Sequence, residues 1–571
     1  MLPLVLTHVL VFAIGVAALS EYAGHAARQV RSHESYLKTF CAAEAATEKT
    51  AAQIRLFLEK NGDTPTSSEL SSMANRPPSM GELFSFQDAS LNNTLSAVYA
   101  GSDWENKVLT VGDYSGFAGS VRTIRVSVMA RNTTGVTPAV VTVTQTLELQ
   151  RIPLFQFGIF YDTDLEILPG GGLTWTGLIH GNADVYLGTG SGSSLRLNSP
   201  LFAAGNIYHG RKDSNDPMPG DVWVKDSADV DQNMKNADGT WLDSRHADWL
   251  MGAYNRWDAR VLSSVQGTGK VRLLLPSGSG PEVLIDRRSA GDSVPVQSQK
   301  MDAKADIRIV DGVVMDQAGN GLELRYCSGG GAYDNGCPEG QSVINPIGNK
   351  SFYNAREARL IQSTDIDVSL LKQSPNFRLI ADARPGVVLY VSDHTNAGSL
   401  VNQDAVRLVN ASSLPLKGMT LASDNPVYVK GNFNTVSKQA AGIIGDSFNI
   451  LSNRWRDSDS FLGLGARKAN DTTVNAAVIA GNTNTTEGNY SGGFENLPRL
   501  LETWTGDTLT YSGSMAALYT SRMATGGWSE GSVYTPPRRN WSFDPAFSNP
   551  AYSIPGFPSV YHVVKSSYEV S

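Results

Sequence analysis

The chain has 571 residues, which exceeds one ordinary core and points to about two to four domains or an elongated solenoid. Charged residues make up 18% and glycines number 55, and with the many Asn, Ser and Thr this suits short strands and tight turns, not a helical enzyme of the cytosol. The net charge of −8, with no long basic stretch, excludes the electrostatic footprint of a nucleic-acid binder.

Residues 1–19 are apolar except for Thr7 and His8. A helix of that length comes close to the roughly 30 Å hydrocarbon core of a bilayer. Pro3 falls in the first turn, where it is tolerated. The helical pattern then runs on. Tyr36, Phe40, Ala43, Thr47, Ala51, Ile54 and Leu58 recur at steps of three and four and predict one buried stripe. Lys38, Glu48, Lys49, Arg55 and Glu59 fall off it. Cys41 reads as a small apolar packing residue. Asn61-Gly62 predicts the stop.

The stretch CAAEAATEKTAAQI, carried by Ala42, Ala43, Glu44 and Ala45, resembles the junction of PilX-like minor pilins and related pseudopilins, where the helix leaves the membrane and joins a globular head. The resemblance covers roughly the first sixty residues. It implies an inner-membrane anchor, a helix that packs on pilin or pseudopilin helices, and a periplasmic or cell-surface body. No Lys or Arg precedes Arg28, and the early Glu of the family is absent, as if the true start lay upstream of Met1. Two other readings stay open: a cleaved secretory signal, with small residues at Ala23-Gly24-His25-Ala26-Ala27, and a plain signal anchor. All three export the rest of the chain.

Residues 62–105 read as irregular connection. From about 106 the pattern turns to period two, in KVLTVGDY, SVRTIRVSVMA and AVVTVTQTLELQ, with a turn at Asn132-Thr133-Thr134-Gly135. After the anchor at 1–20, a pilin-like helix plus small antiparallel sheet is expected at 21–155. Segments such as DLEIL, LTWTGLI and ADVYL, and later DAVRLV, AAGIIG and NAAVIAGN, then predict short strands with Gly or Asn at the bends. The expected fold over 156–490 is a parallel β-helix-like solenoid, with a Greek-key β-sandwich as the alternative. Asn182, Asn206, Asn410 and Asn432 are candidate corner residues. Residues 209–300 read as an insertion with a helix at 244–256. Residues 491–571 read as a C-terminal cap and tail, with a short helix at Leu497–Trp504. The runs IPLFQFGIFYDTDLEILPG, GLIHGNADVYL, NYSGGFENLPRLLE and PPRRNWSFD resemble large envelope proteins with PilX-like N-termini. That implies class and location and no active site.

Candidate chemistry is sparse. Cys327 and Cys337 flank a Gly-rich loop and are readable as a disulfide in an oxidising compartment. GWSEG matches a nucleophile elbow at Ser529, but Pro536 and Pro537 forbid the helix that must follow. Asp162, Asp164 and Glu166 share one strand face, which suits paired-carboxylate sugar chemistry or simply a solvated face. Asp229, Asp231 and Asn233 are oxygen-rich, but Met234 and Thr240 stand where a calcium loop needs Gly and Glu. His180 and His209 read as corner or surface residues. The expectation is a non-enzymatic, membrane-anchored structural or assembly protein of a type IV pilus-like or secretion-like system, without cofactor, metal or nucleic acid. The alternative is a β-helix carbohydrate-active enzyme (a polysaccharide lyase or glycosidase) or a surface adhesin.

Overall fold

A computed structural model describes residues 2–81, 83–101, 103–133, 138–214, 216–326, 340–345 and 350–571. The chain divides into two compact units, Met1–Arg151 with Tyr561–Ser571, and Ile152–Val560. Cys327 and Cys337 lie outside the described residues, as does part of the turn read at 132–135.

The first unit is built on helix α1, Leu2–Asn61, of 60 residues. At about 1.5 Å per residue it is about 90 Å long. Gly62 ends it with φ of +64°, its N–H bonded to the Leu58 carbonyl at 3.0 Å. That is a left-handed stop of the kind Asn-Gly encodes. The buried residues of α1 are confined to its second half, from Thr39 to Leu58. They face the strand Ala118–Asn132. That strand alternates as the sequence predicts, with Ile124, Val126, Val128 and Ala130 all buried. It pairs antiparallel with Val140–Pro153, Leu95–Tyr99, Glu105–Val108 and Phe84–Ser85. The strand Ser559–Val570 joins Val140–Pro153, where Ser571 and Thr142 exchange both backbone hydrogen bonds. The chain's end is therefore part of this sheet, not a tail.

The stretch read as irregular, 62–105, holds order of its own. Ser67–Ala74 is a helix started by a capping box. Thr66 Oγ1 accepts the Glu69 N–H at 3.2 Å, and the Glu69 carboxylate accepts the Thr66 N–H at 2.7 Å. T-S-S-E spells that box, and Leu70 and Ala74 bury the helix.

The second unit is made of parallel ladders. Ile159–Tyr161, Ile179–Gly181, Leu201–Ala203 and Val261–Leu262 pair in that order, all parallel. Leu165–Ile167, Val185–Leu187 and Ile207–His209 form a second ladder, and Leu173–Trp175, Ser194–Leu197 and Asp221–Lys225 a third. The register stacks Ile159 beside Ile179 and Ile179 beside Leu201, so successive turns of chain take 20 and then 22 residues. The inward residues of the three ladders, among them Leu165, Val185, Ile207, Leu195 and Val222, are fully buried in one core. Parallel pairing at this spacing excludes the Greek-key alternative, whose strands are antiparallel.

The chain's route is unusual. After Val261–Leu262 it leaves the ladder and crosses through residues 263–305. It re-enters at Ile307–Val310 and winds through Val387–Ser392, Met419–Ser423, Ala441–Gly445, Thr472–Asn482 and Thr508–Thr520. Beside these run Arg359–Asp367, Asn402–Val409, Val427–Lys430, Phe448–Leu451 and Pro498–Leu500, also parallel. The last long strand, Thr508–Thr520, then docks on Ile159–Tyr161, the first. The ladder thus begins in its own middle, grows to one end, restarts at the far end and returns. The crossing segment is held along the way. Val271 and Asn182 exchange hydrogen bonds at 2.8 and 2.6 Å, and the Ile285 carbonyl accepts from Tyr390 Oη at 2.8 Å.

Three further expectations need correction. Residues 209–300 are not one insertion, because Asp221–Lys225 and Val261–Leu262 are strands of the parallel ladders. The helix read at 244–256 is Trp249–Trp257, set by burial of Trp249, Ala253 and Trp257 at four-residue steps. The helix read at Leu497–Trp504 is instead the buried strand Pro498–Leu500, paired with Phe448–Leu451. Parallel pairing with Phe448–Leu451 takes this apolar run into the ladder.

Candidate functional site

Two places carry chemistry that the fold alone does not require. The first is the N-terminal half of α1. Its apolar side chains are exposed from Leu2 to Leu19, including Phe12 at 74%. α1 is long and apolar enough to cross a membrane, the one such helix among the described residues. Thr7 and one ring nitrogen of His8 bond back to the helix itself. Thr7 Oγ1 donates to the Pro3 and Leu4 carbonyls at 3.0 and 2.9 Å, and His8 Nδ1 meets the Leu4 carbonyl at 2.6 Å. A span in lipid needs this, since no water is there to take the bonds.

The predicted stripe is placed by the second half. Ala43, Thr47, Ala51, Ile54 and Leu58 are buried, and Ala42 and Ala46 join them. Small side chains let the helix lie close on the sheet, so the Ala-rich stretch is its contact surface. Phe40 is half-buried and meets Tyr568 edge-to-face at 6.4 Å. Tyr36 departs from the expectation: it is 43% exposed, one turn before Thr39, the first buried residue of the helix. Cys41 departs too, and is exposed, because it faces away from the buried side of the helix.

The second place is a buried polar cluster around Glu166. The row Asp162, Asp164, Glu166 is not a solvated face. Asp162 accepts Asn182 Nδ2 at 2.6 Å. Asp164 pairs with Lys212 at 2.7 Å and accepts the Asp184 N–H at 3.0 Å. Asp184 in turn accepts the Asn206 N–H at 2.7 Å, a ladder of carboxylates climbing one corner. Glu166 is buried, with Ser491 Oγ 3.4 Å from Oε1, and burial raises its pKa against the pull of Thr485 and Lys212. Glu495 is buried as well. Burial pushes its carboxyl up to about 7, against the pull of Arg539, with the Glu166 charge adding to the rise. Gly493 joins the two: with φ of +69°, a Cβ there would stand 2.7 Å from Glu495 Oε2 and 3.0 Å from the Glu166 carbonyl. Tyr490 closes the outer side under the Arg211 guanidinium, 4.4 Å from its ring centre. Nothing local in GGFENL marks Glu495 as the neighbour of Glu166; long-range pairing alone brings them together.

The remaining candidates resolve into structure. Ser529 lies in a loop with no helix after it. Asp231 pairs with Arg196 at 2.5 Å, Asn233 Nδ2 donates to Asp221 at 3.2 Å, and Asp229 faces Arg260 at 3.7 Å. Among the described residues no group of His, Cys, Asp and Glu is arranged to hold a metal ion. His180 and His209 are buried, not surface residues. His180 stacks on Phe160 and His209 on Trp241, and burial lowers both pKa values to about 4, so both rings are neutral near pH 7. Asn410 does sit at a bend, with φ of +52°, and Asn432 Oδ1 accepts from Asn453 and from the Thr473 N–H.

No family model matches the chain, and no curated protein matches it. Among solved structures, the competence-associated pilin ComZ from Thermus thermophilus aligns over 94% of this chain and 97% of its own, at 14% identity. The TM-score is 0.28, below what a shared fold gives.

Proposed function

We propose that this chain is a membrane-anchored, non-enzymatic structural protein of the cell envelope, of the minor-pilin or pseudopilin kind, with its second unit, which we read as a parallel β-helix, as the exported body. One observation carries this reading. A single helix is exposed and apolar from Leu2 to Leu19 and packed through small residues on an antiparallel sheet from Thr39 to Leu58. A soluble protein has no use for such an exposed run, whereas a lipid bilayer or the helices of sister subunits cover it. The resemblance of CAAEAATEKTAAQI to the pilin junction supports the same assignment. By it the anchor lies in the inner membrane, the body in the periplasm or at the surface, and pilin or pseudopilin subunits are the partners.

The test is fractionation of the full chain against a variant lacking residues 2–20. The full chain should stay with membranes through a carbonate wash, and the shortened one should be soluble with an unchanged circular dichroism spectrum. A full chain that washes off the membrane, or a shortened chain that unfolds, sinks the assignment.

A second reading, a carbohydrate-active enzyme, rests on Glu166 and Glu495, two buried carboxyls with raised pKa values close to Tyr490. Release of reducing or unsaturated sugar ends by the purified protein, lost in Glu166→Gln, would replace the structural reading.

A further inference from the structure

Two arginines in the second unit share too few acceptors. The Gly526 carbonyl accepts from Arg356 Nε at 3.2 Å and from Arg499 Nη2 at 2.9 Å. Arg356 Nε also reaches the Gly527 carbonyl at 3.1 Å. The carboxylate at hand is Glu357, which takes Arg499 Nη2 and accepts the Gly526 N–H at 2.7 Å. Arg356 is 7% and Arg499 5% exposed. Two guanidiniums are thus buried around one carboxylate. Arg356 Nη1 and Arg499 Nε have no hydrogen-bond partner among the described residues.

Such an arrangement is costly unless something completes it. Burial, and then the Arg499 charge, lower the Arg356 pKa to about 9. A guanidinium nonetheless keeps its proton at neutral pH, so the imbalance is relieved by an anion and not by titration. A carboxylate suits a guanidinium well, because it offers two oxygens to a fork of donors.

The neighbouring surface says what carries that carboxylate. From Gly527 the chain passes directly into Trp528, whose side chain is 41% exposed. The indole is held in place: it stands edge-on to Tyr490 at 5.4 Å, and its Nε1 donates to Tyr534 Oη at 3.1 Å. A fixed, half-exposed indole is a stacking platform for an apolar ring face. The loop over the arginines is built to approach them closely, since a Cβ on Gly526 would stand 2.2 Å from the Arg356 carbonyl.

We propose that Arg356 and Arg499, beneath the loop Thr525–Ser532 and beside Trp528, form a binding site for an acidic sugar. The carboxylate gives Arg356 Nη1 its missing acceptor, and the sugar ring stacks on Trp528. This goes beyond membrane anchoring and does not depend on it.

The test uses the full chain in detergent micelles at constant ionic strength. Calorimetry and Trp fluorescence follow titration with trimers of galacturonate, mannuronate and guluronate, with a neutral galactose trimer and with sodium sulfate. At least one uronate trimer should bind, raise the melting temperature and perturb Trp emission, and the neutral trimer should not. Trp528→Ala, at an exposed position, should weaken uronate binding by about tenfold or more, equivalent to about 1.4 kcal/mol. Arg356→Lys, which keeps the charge and loses the fork, should abolish it. Sulfate binding as tight as the uronates and unmoved by Trp528→Ala would overturn the sugar assignment. Absence of binding by every anion would overturn the site.

Discussion

Met515 stands beside Ile159 as a parallel strand neighbour, with Ala516 beside Phe160 and Ala517 beside Tyr161. These pairs close the ladder of the second unit with the two ends of its own chain. Met515 is fully buried there. Met515→Lys, which buries a charge, should therefore destabilise the second unit by more than about 3 kcal/mol. A chain stopped after Asp507 should lose the cooperative melt of the second unit. Urea unfolding of the substitution and calorimetry of the truncation check both. A truncated chain whose second unit still melts cooperatively would mean that the two halves of the ladder fold independently.

The edge of the helix stripe separates two side chains of similar sequence appearance. Ile54 is fully buried and Tyr36 is 43% exposed. Ile54→Ala should cost about 2–5 kcal/mol, whereas Tyr36→Ala should cost no more than about 0.5 kcal/mol. Limited proteolysis between residues 50 and 80 reads the difference. Equal sensitivity of the two variants would refute the packing of α1 on its sheet.

Arg407 binds two carboxylates from separate turns of the second unit. Its contacts are 2.9 and 2.8 Å to Asp365 and 2.6 and 3.0 Å to Asp457. Arg407 and Asp365 are both buried. Arg407→Leu leaves Asp365 without this partner and should cost about 3–5 kcal/mol in denaturant unfolding, more than any loss of packing would explain. Asp365→Leu together with Arg407→Leu should recover a good part of that cost, since the isolated buried charge is gone.

Two buried acids set a pH dependence. Burial raises Glu495 to about 7, and Glu502 likewise to about 7 although Ser452 donates to it from backbone and hydroxyl. A carboxyl raised in the folded state favours folding most when protonated. Its contribution is complete below the ordinary Glu value near about 4.3 and is lost as pH climbs to about 7. Stability should therefore fall between pH 5 and 7.5 by up to about 3 kcal/mol for each group. Glu495→Gln should flatten its share. Melting curves across that range check it; an unchanged slope in Glu495→Gln would show that Glu495 ionises freely.

Much of this was legible in the sequence because the signals are local. Ala43, Ala51, Ile54 and Leu58 fall on one face by helical period, and Val126, Val128 and Ala130 by strand period. The short strands of the second unit, such as Val185–Leu187, announce themselves through β-branched runs between Gly and Asn. What stayed hidden depends on distant partners. Tyr36 has the right spacing, but it stands one turn before Thr39, the first buried residue of the helix. Pro498–Leu500 reads as helix until Phe448–Leu451 is known to lie beside it. Glu166 looks solvated until Ser491 and Glu495 cover it. The break in the strand pattern over 209–300 shows in the sequence, but that the chain there crosses from one end of the ladder to the other does not.

That crossing bears on the order in which the protein is made. The ribosome delivers Ile159–Tyr161 early, and its neighbour Ile179–Gly181 soon after. The other side of the first strand waits for Thr508–Thr520, near the end of synthesis. For most of translation the nascent chain therefore carries an unpaired strand edge, of the kind that templates aggregation. Holding chaperones would be needed to shield it. Arrested nascent chains ending before residue 505 should cross-link to such chaperones through a photoreactive group near Phe160, and released full-length protein should not.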